Sequence, residues 1–489
     1  STLSSSSAAS DVYKRQQKTG AKKSASSVVD AQAGYVRTEA APLLPPPPSE
    51  VGITGWLYKN IFASMSDFAS IGGAIKSILI AFLTVVLLYF LITQTIGLLD
   101  FAIFSAVWSD PQGLKREVCW TVEQGGALPI GWHAACWPYV QAKAKFIFYG
   151  AYPNEELWRV NLTYAVGAVM LAWVMIDRFP YRKIVGALLL TAYPVLATIM
   201  LTGGSFSISA GAIGTYTILG LVLITIGRLG NRGYFSGAFG DLAKVAGVFG
   251  WILVLFAAVL ALFSVDFSLE AIDTSDWGGL LITLVVAITG IVASLPLGIL
   301  LALGRRSDMP VARFLSTVFI EFWRGVPLIT VLFMASVMLP LFMPEGVNFD
   351  MLLRALIGVT LFSAAYMAEV VRGGLQAIDK GQYEGADAVG LPYWQSMRLI
   401  ILPQALTHVI PGIVNTFIGL FKDTALVSIV GIFDLLGAAQ STLADPAWST
   451  PVQGLTGYLV VAAIFFIFCF GMSRYSMYME QKLSRSRNR

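Results

Sequence analysis

The sequence is short of the residues that carry most chemistry in water. Among 489 residues there are two histidines and three cysteines, and only 13% are charged. So few soft or imidazole ligands leave no metal site at recognisable spacing, and scarcely a constellation for nucleophilic catalysis. No Gly-Lys dipeptide occurs, so the chain lacks the Gly-rich loop and lysine that cradle ATP phosphates. Neither sign of charge dominates: 33 Lys and Arg face 29 Asp and Glu, and a net +4 is too balanced to suggest nucleic acid. Apolar sequence is what remains. At 56% hydrophobic and a mean hydropathy of +0.71 the chain is no water-soluble globule of this size. It reads as an all-α polytopic membrane protein.

A bilayer core of about 30 Å takes roughly 20 apolar residues in helix. Such runs lie at 75–98, 158–176, 184–202, 211–228, 247–264, 278–303, 314–341, 352–371, 404–421 and 454–473, about ten spans. The fourth is short and Gly-rich, and 424–437 (TALVSIVGIFDLLG) is an apolar half-span with the look of a re-entrant segment. Residues 1–52 read as a disordered polar tail ending in the spacer Pro45 to Pro48. Its opening STLSSSSAASDVYKRQ lacks an initiating Met and reads as a cloning or assembly scar. A short interfacial stretch is expected around Trp56 to Phe68. The first apolar run begins after residue 70 and is long enough to span, so it is expected to serve as the targeting signal without cleavage.

Lys and Arg set the expected orientation. The segments 177–183, 228–246, 304–313, 372–400 and the C-terminus each carry at least three, whereas 203–210, 265–277 and 342–351 carry none. Both termini are therefore expected on the inner side, with a basic tail at 481–489. The long outer loop 99–157 carries Cys119 and Cys136 among Trp120, Trp132 and Trp137. Two readings stand: a disulfide closing the loop, or two free thiols packed among tryptophans. Cys469, in the last span, reads as a small packing residue.

The segment from Arg372 to Leu406 is unlike a simple connector. Helix-friendly stretches at 381–389 and 393–401 are broken by Gly390 and Pro392, with Tyr383, Ala386, Val389 and Trp394 along one apolar edge. A short amphipathic helix of this kind suits either a groove in a partner protein or lipid headgroups. Its residues Glu384, Gly385, Ala386 and Asp387, then Gly390 and Leu391, then Ile400, Leu402 and Pro403, closely resemble the E-A-A-x3-G-x9-I-x-L-P loop of ABC importer permeases. Gly385 stands where that family usually has Ala. GLLITLVVAITGIVASLPLGILLALGR (279–305), EFWRGVPLIT (321–330), AAYMAEVVRGGLQAIDKGQ (364–382) and FKDTALVSIVG (421–431) resemble the polar amino-acid branch, as in histidine, glutamine and glutamate permeases. The accessory spans resemble the larger membrane subunit of general L-amino-acid ABC importers.

The resemblance implies a fold and an assembly. Residues 271–480 would be a five-helix type I importer permease core, and 53–270 five accessory spans. The loop 372–406 would seat its helix in a cytoplasmic ABC ATPase dimer, with ATP and Mg held there and no cofactor on this chain. A second, smaller permease would complete a heterodimer, and a periplasmic amino-acid-binding protein would deliver substrate. The location implied is the bacterial inner membrane.

Charges within spans are functional candidates. Glu321 and Arg324 are spaced to pair on one helix face, at an interfacial elbow before their span. Lys422 and Asp423 follow some twenty residues after Pro403, and a zwitterionic amino acid needs partners of both signs. Asn415 and Thr424 would add polar contacts, although a mutual Lys422–Asp423 pair is the plainer reading. His408 reads as a hydrogen-bonded packing residue. The rival function is an ion-coupled secondary amino-acid transporter of two five-span halves, which predicts broken helices at matching places in both. The first half offers no counterpart of 372–406.

Overall fold

The computed structural model describes residues 71–487 apart from 114, 205, 207, 235–236 and 344–348. The tail 1–52 and the stretch Trp56 to Phe68 lie outside the described residues. Among the described residues every regular element is helical, and backbone pairing is limited to isolated bridges. Two compact units divide between Gln94 and Thr95. The first holds most of α1 (Ile71–Leu99), an apolar helix whose described side chains are nearly all exposed.

The second unit opens with a loop module containing α2 (Trp137–Tyr149). Then come α3 (Leu157–Met175), the pair α4 (Arg182–Leu190) and α5 (Ala192–Thr202), and the hairpin of α6 (Ala210–Asn231) and α7 (Ala238–Phe263). The C-terminal half runs through α8 (Leu280–Arg306), α9 (Pro310–Gly325), α10 (Leu328–Phe333) and α11 (Met351–Gln376). A short α12 (Lys380–Ala388) and α13 (Tyr393–Ser396) lead to α14 (Leu402–His408) and α15 (Ile410–Asp423). The chain closes with α16 (Leu435–Thr442) and α17 (Gln453–Arg487). Among the described residues, eight single helices are long and apolar enough to cross a bilayer, and two bent pairs raise the figure to as many as ten.

The bends have local causes. The run 314–341, expected to span with Glu321 and Arg324 at an interfacial elbow, turns by 103° between α9 and the helix that begins at Leu328. Proline clashes with a helical residue before it, so Val326 is extended (φ −105°, ψ 133°) ahead of Pro327. Pro411 acts differently: it has no N–H to continue the bonding of the preceding helix, so it stands in the first turn of α15, and Val409 (φ −111°, ψ 11°) divides the apolar run 404–421 into α14 and α15. The half-span 424–437 does not form a separate re-entrant helix. Thr424–Val430 continues α15 as a tighter 3-10 helix, and Gly431 reverses the chain at φ +86°.

Burial of apolar area drives little association between helices surrounded by lipid, so close van der Waals approach must hold them. Gly298 permits such an approach between α8 and α11: a Cβ there would stand 2.7 Å from the Cβ of Met367. Around this crossing Ala302, Met367, Ala368, Val371, Ile401 and Ala405 form one buried cluster. A larger cluster lies further along the same helices, where Leu281, Ile282, Val286, Val359, Leu420 and Phe421 meet.

Cys119 and Cys136 form a disulfide with Cα atoms 6.0 Å apart. The segment around them is folded, not a slack loop. It is fastened to the α16 region by the Tyr139–Thr442 hydroxyl bond at 2.5 Å, Arg116 donating to the Pro446 carbonyl at 3.0 Å, and a Lys143–Asp445 ion pair. Lys143 holds the Asp445 carboxyl below the usual carboxylate range. The spans thus have a disulfide end and an opposite end, the elbow end, where the connector from α11 to α14 turns through α12 and is the elbow of the molecule.

Candidate functional site

The elbow is the most sharply built feature at its end of the molecule. Helix α12 has nine residues and ends in a paired backbone cap. The Gly390 N–H donates to the Asp387 carbonyl at 2.9 Å, and the Leu391 N–H donates to the Ala386 carbonyl at 3.1 Å. This double closure needs a left-handed residue, and Gly390 supplies it at φ +76°. Ala386 is buried beneath the helix, while Glu384, Gly385 and Asp387 are exposed. Neither Glu384 nor Asp387 pairs with a basic side chain among the described residues. The apolar edge expected from the sequence is divided. Tyr383 packs inward, but Val389 and Trp394 are 78% and 65% exposed. An anionic, partly aromatic surface is therefore left open.

Of the remaining elbow residues, Leu391 and Leu402 are half-buried and Pro403 is exposed at the start of α14. The second stretch, 393–401, forms α13 and one wide π turn at Met397–Ile401. Gln404 donates to the Gln382 side chain at 3.0 Å, tying α12 to the next span.

Along each of α14 and α15 one face stays uncovered by the chain itself. On α14 Gln404 and His408 are exposed four residues apart, and on α15 Pro411, Asn415 and Lys422 are exposed at spacings of four and seven residues, the repeat of one helical face. Asn415 and Lys422 lie two turns apart on it. Asp423 is half-buried beside them. Thr424 is placed differently: its hydroxyl is buried and donates to the Phe421 carbonyl at 2.8 Å. An uncovered polar stripe is costly against lipid, because ionisable groups there normally face a bundle interior or water.

Glu321 and Arg324 do not make the simple i,i+3 pair that their spacing suggests. Glu321 sits 2.7 Å from Arg305 at the end of α8, and Arg324 reaches Glu369 of α11 at 3.8 Å. Arg305 also holds Glu369 at 2.7 Å, and Arg372 grips the same carboxylate at 2.8 Å. Sequence reading missed this convergence. Its only trace was acids and arginines at matching depth near the ends of three separate runs.

The fold and this site define a polytopic α-helical membrane protein with a rigid, charged elbow between two of its spans. Residues 294–485 match the family of binding-protein-dependent transport system inner membrane components. The inner membrane amino-acid ABC transporter permease protein YhdY of Escherichia coli is 40% identical over 432 residues, 88% of this chain and 93% of its own length. The glutamate/glutamine/aspartate/asparagine transport system permease protein BztC of Rhodobacter capsulatus is 42% identical over 461 residues, 93% of this chain and 99% of its own. A chain from the crystal structure of an amino acid ABC transporter with histidines is 29% identical, with a TM-score of 0.37 over 42% of this chain and 92% of that one. The chain belongs to the amino-acid ABC transporter permeases. It is a multi-pass membrane subunit of an importer, not the ATPase, and the two-halved secondary carrier is set aside.

Proposed function

We propose that this chain forms part of the translocation path of an ATP-driven importer of polar L-amino acids, moved through its elbow by a cytoplasmic ATPase dimer. One observation carries the proposal: α12 is closed by a paired backbone cap yet leaves Glu384 and Asp387 exposed and, among the described residues, without ion partners. A helix so finished and so unsatisfied suits a basic cleft on another protein better than a lipid surface, where acidic residues are repelled. ATP and Mg are bound by that partner, because this sequence has no phosphate-cradling loop. The elbow end then faces the cytoplasm, with both termini on that side of the inner membrane. A second, smaller permease covers the exposed stripe of α15, and a periplasmic binding protein docks at the disulfide end.

The solute would pass along Asn415, Lys422 and Asp423, which offer an amide, an ammonium and a carboxylate to a zwitterion. Thr424 contributes through the backbone turn it caps, since its hydroxyl is already engaged. The name of the relative BztC supports glutamate, glutamine, aspartate and asparagine as the class of solute. The test is ATP-dependent uptake by proteoliposomes holding the purified assembly, against vesicles holding this chain alone. Uptake only with the ATPase present, lost together with ATPase binding in Glu384→Lys, is the expected result. Uphill uptake by the chain alone under an ion gradient would overturn it.

A further inference from the structure

The two arginines that end α8 face in different directions. Arg305 bridges two carboxylates, Glu321 on α9 and Glu369 on α11, each at 2.7 Å. Arg306, the next residue, reaches the elbow. Its guanidinium lies 5.7 Å from the centre of the Tyr383 ring and donates to the Tyr383 hydroxyl at 3.2 Å. That hydroxyl in turn donates to the Leu375 carbonyl of α11 at 3.3 Å. Glu369 is the hub of the arrangement, accepting from Arg305 and Arg372 with Arg324 at 3.8 Å. One dipeptide thus joins α12 to a carboxylate shared by α8, α9 and α11.

We infer that Arg305, Arg306, Tyr383 and Glu369 are positioning residues that carry displacement of the elbow helix into the ends of these three spans at once. The inference rests on the elbow being the ATPase contact. Apart from this link, α12 is held by the short chain segments at 377–379 and 389–392, the Tyr383–Leu375 and Gln382–Gln404 bonds, and the packing of Tyr383 and Ala386 beneath it. The chain alone would let α12 swing about those connections without moving α8 or α9. Two properties suit the link to its task. The charges are half-shielded, with Glu369 at 17% and Arg305 at 24% exposure, so they attract more strongly than surface pairs. Planar guanidinium also grips carboxylate and stacks on an aromatic ring in fixed geometry, which an ammonium does not.

The assembled transporter with its ATPase, in proteoliposomes, provides the test, read as solute moved per ATP hydrolysed. In Glu369→Gln, Arg306→Gln and Tyr383→Ala that ratio is expected to fall about tenfold while hydrolysis continues, within the usual range of coupling between linked sites. Tyr383→Phe keeps the ring beneath Arg306 and is expected to retain most of the ratio, a graded result that a merely structural role does not produce. If Glu369→Gln fails to assemble, Arg306→Gln and Tyr383→Ala, nearer the surface, decide the matter. Ratios within about twofold of the parent, or uptake and hydrolysis falling in parallel, overturn the inference. A parent assembly without ATP-driven uptake would instead overturn the coupling role itself, and this inference with it.

Discussion

Gly390 offers the cleanest perturbation of the elbow, because its surroundings separate backbone strain from packing. Its φ is +76°, and a Cβ built there meets nothing within 4 Å. Gly390→Ala therefore creates no clash, and its whole cost is that of an L-residue in left-handed geometry, about 1–2 kcal/mol. A penalty of that size shifts the population of the capped turn by roughly 5- to 30-fold. The two N–H groups that close the cap, Gly390 and Leu391, are the natural reporters. Hydrogen exchange at both is expected to accelerate by that factor, with weaker retention of the ATPase on co-purification. Two companions sharpen the reading. Gly390→Asn puts a residue that tolerates this geometry in the same place and is expected to restore much of the protection. Gly385→Ala adds the same methyl group to open space within the helix, and is expected to stabilise α12 by up to about 1 kcal/mol. If Gly390→Ala matched Gly385→Ala, or if Asn were no better than Ala at 390, the cap would not be what shapes the elbow.

Two further outcomes follow from features remote from the elbow. Cys119 and Cys136 are 17 residues apart, and closing a loop of that length constrains the unfolded chain by about 3 kcal/mol. Cys119→Ser/Cys136→Ser is expected to lower the thermal midpoint of the purified protein measurably, and an unchanged midpoint would refute that contribution. Asp177, between α3 and α4, accepts from Lys482 at 2.5 Å and from the Tyr478 hydroxyl at 2.8 Å, and these bonds hold its carboxyl at about 2. Its folded value lies below the unfolded value near 4, so the contact contributes fully above about pH 4 and is lost as pH falls toward 2. Protease protection of residues 176–181 is expected to drop across that window, and Lys482→Ala to move the drop to higher pH. A profile indifferent to Lys482→Ala would remove Lys482 as the cause.

The exposed stripe and the elbow differ in how far the sequence discloses them. The elbow is written locally: Gly390, Pro392 and the polar residues before them specify a short helix, a left-handed cap and a stop within a dozen positions. The stripe is half-written. A repeat through Asn415 and Lys422 is visible in the chain, but that the face carrying them is uncovered depends on which side of α15 packs against α8 and α11. Thr424 illustrates the limit, since its polarity marked it for the path while the turn after α15 buries its hydroxyl.

Composition and hydropathy settle the membrane class, the number of apolar runs and the absence of a nucleotide loop, because each depends on residue type and local spacing alone. Proline and glycine settle most breaks for the same reason, through φ restriction at Val326 and φ freedom at Gly390 and Gly431. Which charges meet is decided only in three dimensions. Arg305 and Glu369 are 64 positions apart, and nothing between them dictates that Arg305 choose Glu369 and Glu321 while Arg324 leaves its near neighbour for Glu369. The disulfide is of the same kind: two thiols among tryptophans become a bond once Val107 pairs with Cys136 and the module closes on α16. Partner choice over such separations follows from helix packing, whose close approaches at Gly298 bring the span ends into reach of one another.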